Sequence, residues 1–294
     1  MTAAKRRSSR CIAFQGAPGA YSDLACRHVF PKKATLACPG FEDVIAAVRR
    51  GGAELAMLPI ENSVAGRVAD IHHLLPESGL FIVGEHFERV KHQLLVVPGA
   101  SLKTIKTVRS HVHALSQCRR LIRKLGLKPV VSADTAGAAA ELAQSGDTSV
   151  AVIASELAGR IYKLKPLKRN IEDAGHNTTR FLVMARQPRT PPNNGRPVVT
   201  SFVFRVRNVP AALYKALGGF ATNGINMTKL ESYMVGGEFT ATQFYADIEG
   251  HPDSRPVRLA LEELDFVTRE LKILGTYPAH PFRLKAARRS RKDP

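Results

Sequence analysis

The first 187 residues alternate short apolar runs with amphipathic stretches. Ile12–Gln15, Leu55–Leu58, Leu94–Val97, Thr107–Ser110 and Val150–Ala154 read as strands, and Val130 and Val131 close another. Phe41, Val44, Ile45 and Val48 recur at i, i+3, i+4 and i+7, which defines one apolar helix face, and Gly51 and Gly52 stop it. A helix from about Ser22, one with Ala114, Leu115, Cys118, Leu121, Ile122 and Leu125 on a single face, an Ala-rich helix over Ala136–Gln144 and one after Ala154 complete the series. Strands alternating with helices predict parallel α/β layers, here as two lobes that divide near residue 85. The strand at Phe181 comes after both. If it returns to the first lobe antiparallel, its start joins the carboxyl ends of the other strands, and a cleft separates the lobes.

After Arg186 the pattern changes. Gln187–Val199, QPRTPPNNGRPVV, stops helix and sheet alike and reads as a linker. Phe202–Arg207 alternates as a strand, and Pro210 fits the first turn of a helix that runs to about Thr222. Met227–Val235 and Phe239–Ile248 read as a hairpin around Gly236-Gly237. Val257–Leu264 reads as a helix and Phe266–Leu274 as a last strand. The order βαββαβ is the ferredoxin-like plan. The chain therefore divides into residues 10–187, a linker at 188–199, a unit at 200–280, and basic tails at 1–9 and 284–294.

Composition alters this picture in a few places. A chain that is 44% hydrophobic and 23% charged is that of an ordinary water-soluble protein. No apolar run approaches the roughly 18 residues of a membrane span, and no signal-peptide core follows the basic start, so a cytoplasmic address is expected. Cys11, Cys26, Cys38 and Cys118 form no CxxC pair and no metal spacing with histidine. The net charge of +18 draws on Lys5, Arg6, Arg7 and Arg10 at the start and on Arg283, Lys285, Arg288, Arg289, Arg291 and Lys292 at the end. No base-reading helix or aromatic platform accompanies them, so nucleic acid is not expected as a partner. The remaining basic excess suits a small anion.

The polar clusters sit where strands end, the usual place for ligands in α/β folds. GAPGAYS follows the first strand, with Gly16 and Gly19 for the turn and Ser22 as an N-cap; a capped turn and an anion seat both fit it. PIENS carries Glu61, a candidate base that taken alone reads as a solvated loop carboxylate, and SHVHALSQC carries His111 and His113 on different helix faces. ADTAGAAA places Asp134 and Thr135 at a helix start. HNTTRF sets Thr178, Thr179 and the permanent cation Arg180 at a strand mouth, and arginine binds carboxylates in a bidentate manner. No Ser-His-Asp set, zinc signature or dinucleotide fingerprint is legible. The residues alone describe a cleft for a small anion and name no reaction.

Taken in order, GAPGAYS, LPIENSVAG, SHVHALSQC, ADTAGAAA and NTTRF, followed by RNVPAALYKALGGFATNGINMTKLES, resemble prephenate dehydratase of the monofunctional kind with a C-terminal ACT regulatory domain. The resemblance spans Cys11 to about Arg283. It implies two α/β lobes of periplasmic-binding-protein type around the active site, conversion of prephenate to phenylpyruvate, water and carbon dioxide, and no metal or organic cofactor. It implies Thr179 as the hydroxyl contact or general acid and Arg180 as the carboxylate anchor. Ser22, Asn62, Ser63, Ser110, Gln117, Thr135, Asn177, Thr178 and Phe181 are implied as walls of the substrate site. In the ACT half it implies a phenylalanine site at Asn208, Pro210, Ala211, Ala212, Leu213, Asn226, Glu231 and Ser232, and a homodimer or homotetramer. Two segments depart from the family pattern: Ala211-Ala212-Leu213 stands where relatives carry Gly-Ala-Leu, and Glu231-Ser232-Tyr233-Met234 where they carry Glu-Ser-Arg-Pro. Arogenate dehydratase, with an amino group on the substrate, and a non-catalytic amino-acid-responsive binding protein are the alternative readings.

Overall fold

The computed structural model describes residues 11–234 and 241–284. Two compact units emerge. One holds the chain up to Val68 together with His86–Phe181; the other holds Ala69–Glu85 and the chain from Leu182 onward.

The first unit contains both expected lobes. In the first lobe, β1 (Ile12–Gln15) pairs in parallel with β2 (Thr35–Cys38) and β3 (Leu55–Asn62), with α1 (Tyr21–Val29) and α2 (Phe41–Arg49) between them. Its sheet runs β2-β1-β3-β11-β5, and the short β4 (Gly66–Arg67) adds to β3. Strands β5 (Phe81–Arg89) and β11 (Thr178–Ala185) continue past this unit into the second. Ile12, Ala13 and Phe14 are all but inaccessible, as a central strand covered on both faces requires.

The second lobe has the order β10-β6-β9-β7-β8. Here β7 (Thr107–Ser110) runs parallel to β8 (Lys128–Val131) and β9 (Val150–Ala154), while β6 (Gln93–Val96) runs antiparallel to β9 and to β10 (Lys165–Arg169). Leu94, Val108, Ala151 and Ile153 from the sheet pack with Leu115, Cys118 and Ile122. The single helix expected over Ala114–Leu125 is instead two short ones, α4 (Val112–Gln117) and α5 (Arg119–Lys124), with the break at Cys118. Near that break the Gln117 carbonyl accepts from the Asp173 amide at 2.7 Å. Helices α6 (Thr135–Ser145) and α7 (Glu156–Ile161) start at Asp134 and Ser155, whose side chains accept from Gly137 N and Ala158 N.

The second unit has α3 (Ala69–Leu74) ahead of β5, then β12 (Val198–Val206), α8 (Ala212–Thr222), β13 (Met227–Met234), β14 (Ala241–Glu249), α9 (Arg255–Val267) and β15 (Thr268–Pro278). The sheet order β13-β14-β12-β15, all antiparallel, is the ferredoxin-like arrangement expected. Its core combines Phe202, Phe204, Phe220, Phe244, Ile248, Val257 and Leu264. The hairpin turn expected at Gly236-Gly237 lies outside the described residues.

Several boundaries move. Residues 69–85 were expected in the first domain but pack within the second unit: Lys272 Nζ donates to the Pro76 carbonyl, and Gly275 admits the Ile82 backbone so closely that a Cβ would lie on its carbonyl oxygen. Strand β12 begins at Val198, inside the expected linker, because Val198 and Val199 are buried. Helix α8 begins after Ala211, so Pro210 precedes it. Phe266 lies in the last turn of α9, which runs to Val267, and is exposed rather than opening the last strand. Arg283, expected in a solvated tail, donates to the fully buried carboxylates of Glu85 at 2.7 Å and Asp247 at 3.3 Å. Among the described residues, no helix is long and apolar enough to cross a membrane.

Candidate active site

The mouth of β11 lies against the carboxyl end of β3. Ser63 N donates to the Thr178 carbonyl, and Thr178 N donates back to Ser63 Oγ, which itself donates to the His176 carbonyl at 2.7 Å. Strand β3 does not stop at Pro59; it runs to Asn62, which puts Glu61 and Asn62 on the strand end beside β11. Glu61 is therefore no solvated loop carboxylate. Its Oε1 lies 3.0 Å from Arg180 Nη1, and the Arg180 side chain is only 2% exposed. Burying that guanidinium without an anion would be strongly unfavourable.

Asn62 organises the strand ends. Its Oδ1 accepts from Val64 N at 2.9 Å and Ala65 N at 2.8 Å, which fixes the carboxamide orientation. Nδ2 must then face the other way, and it donates to Asn177 Oδ1 at 2.8 Å and to Thr179 Oγ1 at 2.9 Å. A threonine hydroxyl has one proton to give. Because Asn62 can only donate to that oxygen, the Thr179 proton points elsewhere.

From Asn177 the network runs into the second lobe. Fully buried Asn177 donates through Nδ2 to Gln117 Oε1 at 2.8 Å, and Gln117 Oε1 also lies 2.9 Å from His92 Nε2. An amide oxygen only accepts, so His92 carries its proton on Nε2. Its Nδ1 is then an acceptor 2.9 Å from Tyr21 Oη, whose one proton it shares with the Lys91 carbonyl at 3.0 Å. Burial lowers the His92 pKa against the opposing pull of Gln117 and Glu172, which keeps the ring neutral. Burial, followed by the neighbouring Cys118 and the Glu172 and Glu88 carboxylates, holds the Tyr21 phenol well above its ordinary value, so it remains a donor. Cys118 is no thiolate, since burial and then Asp173 and Glu172 push its pKa far up.

The GAPGAYS turn faces α7. Gly19 has φ +91°, and a Cβ there would come 2.7 Å from Ala158 Cα. Ser155 Oγ donates to the Gly19 carbonyl, and Tyr162 Oη to the Pro18 carbonyl at 3.0 Å.

Asn62, Gln117, Asn177 and Thr179 thus form one connected set, with Arg180 on the same strand mouth. Ser22 is not the N-cap of α1: Ala20 holds that position, and Ser22 is buried inside the first turn. Ser110 is fully buried and donates to the Ile153 carbonyl at 2.6 Å, so its hydroxyl serves the sheet. Thr135 opens α6 behind the Asp134 cap, and Phe181 is a core side chain. His92 enters the cluster although spacing did not single it out, and Glu61 enters it as the partner of Arg180 rather than as a loop carboxylate. In the second unit, Ala211 adopts φ +60°, the conformation that suits glycine. Asn226 Nδ2 donates to Glu249 Oε2, and Glu231 pairs with Lys229, both at 3.0 Å. Buried Tyr233 packs its ring on His73 at 5.5 Å, where the family pattern has arginine.

Known proteins share this fold. The prephenate dehydratase family matches residues 12–189. The bifunctional N-acyl-homoserine lactone acylase/prephenate dehydratase of Komagataeibacter europaeus is 56% identical over 94% of this chain and 98% of its own length. The chloroplastic arogenate dehydratase/prephenate dehydratase 1 of Arabidopsis thaliana is 40% identical over 91% of this chain and 71% of its own. Among solved structures, one described as a novel type of quorum quenching acylase superposes with TM-score 0.88 at 56% identity, covering 93% of this chain and 100% of that one. The prephenate dehydratase of Arthrobacter aurescens in complex with L-Phe superposes with TM-score 0.84 at 28% identity, covering 92% of this chain and 90% of that one. The chain belongs to the prephenate dehydratase family.

Proposed function

We propose that the protein converts prephenate to phenylpyruvate, with Thr179 donating a hydrogen bond to the departing ring hydroxyl and Arg180 balancing substrate carboxylate charge. The ring C–O bond breaks with the hydroxyl leaving as hydroxide, which takes one proton from solvent to become water; the C–C bond to the ring carboxylate supplies the electron pair that makes the ring aromatic, and carbon dioxide leaves. The observation that carries this reading is the one-way hydrogen bond from Asn62 to Thr179 Oγ1, which turns the hydroxyl proton outward. The same bond favours hydrogen-bond donation over full proton transfer. An amide N–H cannot reprotonate the hydroxyl, and preorganised donors aimed at developing oxygen charge are effective catalysts in their own right. Family membership and the L-Phe complex of the Arthrobacter aurescens relative support phenylalanine as an effector acting through the ferredoxin-like unit.

Purified protein supplied with prephenate should release phenylpyruvate without added metal or nucleotide, and Thr179→Ala should cut kcat by about 10²–10³. Absence of product from wild-type protein, or undiminished turnover by Thr179→Ala, would sink the assignment. Arogenate run in competition decides the preferred substrate, since relatives carry both names. A second reading comes from the Komagataeibacter europaeus relative, whose name includes lactone acylase. A hydroxyl nucleophile for amide cleavage needs a base that takes its proton. The partner of Thr179 Oγ1, Asn62 Nδ2, is a donor, so Thr179 is not set up as that nucleophile. Release of homoserine lactone from an N-acyl-homoserine lactone by the same preparation tests that activity directly.

A further inference from the structure

Away from Thr179, α1 and β5 bring three ligating side chains together. His28 Nδ1 lies 2.7 Å from Glu88 Oε2, and His86 Nε2 lies 3.0 Å from the same oxygen. One ligand atom from each residue falls within 4.8 Å of the others. His86 and Glu88 are two apart on β5 and so project to one face, while His28 comes from the last turn of α1. The carboxylate side chain is 8% exposed and that of His86 16%, but the His28 side chain is 55% exposed. The cluster is thus walled on two sides and open on the third. None of the three residues belongs to the network that ends at Thr179.

We propose that His28, His86 and Glu88 bind a divalent zinc ion that fastens the end of α1 to β5. Two imidazole nitrogens and one carboxylate oxygen are the donor set of a borderline cation, and one that magnesium or calcium serves poorly. With three protein ligands and an open side, the fourth tetrahedral position falls to water. Ligands held about 2.0–2.1 Å from zinc stand roughly 3.3 Å apart, so the pairs now at 2.7 and 3.0 Å separate by about half an ångström. The exposed His28 side chain can make that adjustment. Each ring places its proton on the nitrogen facing away from the metal, and Glu88 exchanges two N–H contacts for one metal bond. The site escapes spacing rules because residue 28 and residues 86 and 88 meet only through the fold. It matters to the rest of the unit because α1 begins at Tyr21 and β5 leads to His92, the pair that anchors the far end of the hydrogen-bond network.

The test uses the full chain without an affinity tag, stripped with chelator and titrated calorimetrically with zinc. Cobalt serves in parallel as a spectroscopic stand-in. The expected result is one zinc per chain, a melting temperature that rises with zinc concentration, and tetrahedral-type cobalt absorption. His28→Ala, at an exposed position, should keep the metal-free melting temperature and lower zinc affinity at least about tenfold, and His86→Ala should do the same to affinity. Glu88→Gln serves as a third variant if it folds. No zinc binding above buffer controls, or equal affinity in His28→Ala and wild type, would overturn the proposal. So would magnesium competing at equal concentration.

Discussion

Replacing Asn62 with aspartate separates the role of its orientation from its role in holding the fold. In Asn62→Asp, one carboxylate oxygen still accepts from Val64 N and Ala65 N, now 2.9 and 2.8 Å from Oδ1. The other takes the place of Nδ2, 2.8 Å from Asn177 Oδ1 and 2.9 Å from Thr179 Oγ1. Two donated bonds vanish, at about 1 kcal/mol each, and the buried Asn177 oxygen loses a donor, at about 1–3 kcal/mol. Thr179 recovers part of this by turning its own proton onto the carboxylate, a charge-assisted bond worth about 1.5–3 kcal/mol. The net loss of stability is about 1–3 kcal/mol, within reach of a folded enzyme. That same rotation withdraws the proton from the departing hydroxyl, so kcat should fall by about 10²–10³. Asn62→Ala should behave in the opposite sense. It loses all four bonds and more stability, yet leaves the Thr179 hydroxyl able to turn outward, so kcat suffers less. Phenylpyruvate formation at saturating prephenate, set beside urea unfolding of both variants, reads the two effects separately. If Asn62 merely supports the fold, activity will follow stability and Asn62→Ala will be the worse enzyme; that ordering, or wild-type kcat in Asn62→Asp, refutes the reasoning.

Three further expectations follow from single positions. Ala211→Gly should raise stability by about 0.4–1 kcal/mol in denaturant unfolding, because φ +60° is strained for alanine and free for glycine; a loss would show that the methyl packs usefully. Gly19→Ala adds a Cβ 2.7 Å from Ala158 Cα at φ +91°, and strain plus overpacking should cost about 2–5 kcal/mol, read as a lower melting temperature. For His92, a native pKa below the ordinary 6.5 means the unfolded chain binds the extra proton first. Its contribution is therefore complete above about pH 6.5 and is lost as pH falls towards and through the lower native value. Unfolding free energies at pH 8 and pH 5.5 should differ less in His92→Gln than in wild type, and an equal difference would remove His92 from the acid response.

The sequence carried the lobes because their strands are short apolar runs between periodic helices, and the ferredoxin-like half because its order of elements is distinctive. It was silent on β5 and β10. FIVGEHFER buries every third residue rather than every second, and KPLKR is a charged edge strand, so neither shows the expected alternation. His92 stands at the mouth of the apolar run QLLVV, which reads as a strand, and so carries the same signal as Arg180 before FLVM. Asn62 and Asn177 were legible only as members of ordered motifs. What they do depends on two amides, of Val64 and Ala65, whose direction no residue pattern encodes. The break at Cys118 eluded periodicity because the apolar face continues across it while the backbone does not.

The second unit is drawn from two separate stretches of chain, with Ala69–Glu85 supplied long before the rest. That arrangement limits its modularity. A gene cut at the proline-rich segment would yield a C-terminal fragment in which Arg283 lacks Glu85 and Gly275 lacks Ile82. Protease cleavage in the same segment would nick the chain without removing those partners. Exchange of C-terminal halves between relatives would have to carry residues 69–85 along, so the two stretches are expected to be inherited together, although nearly a hundred residues separate them.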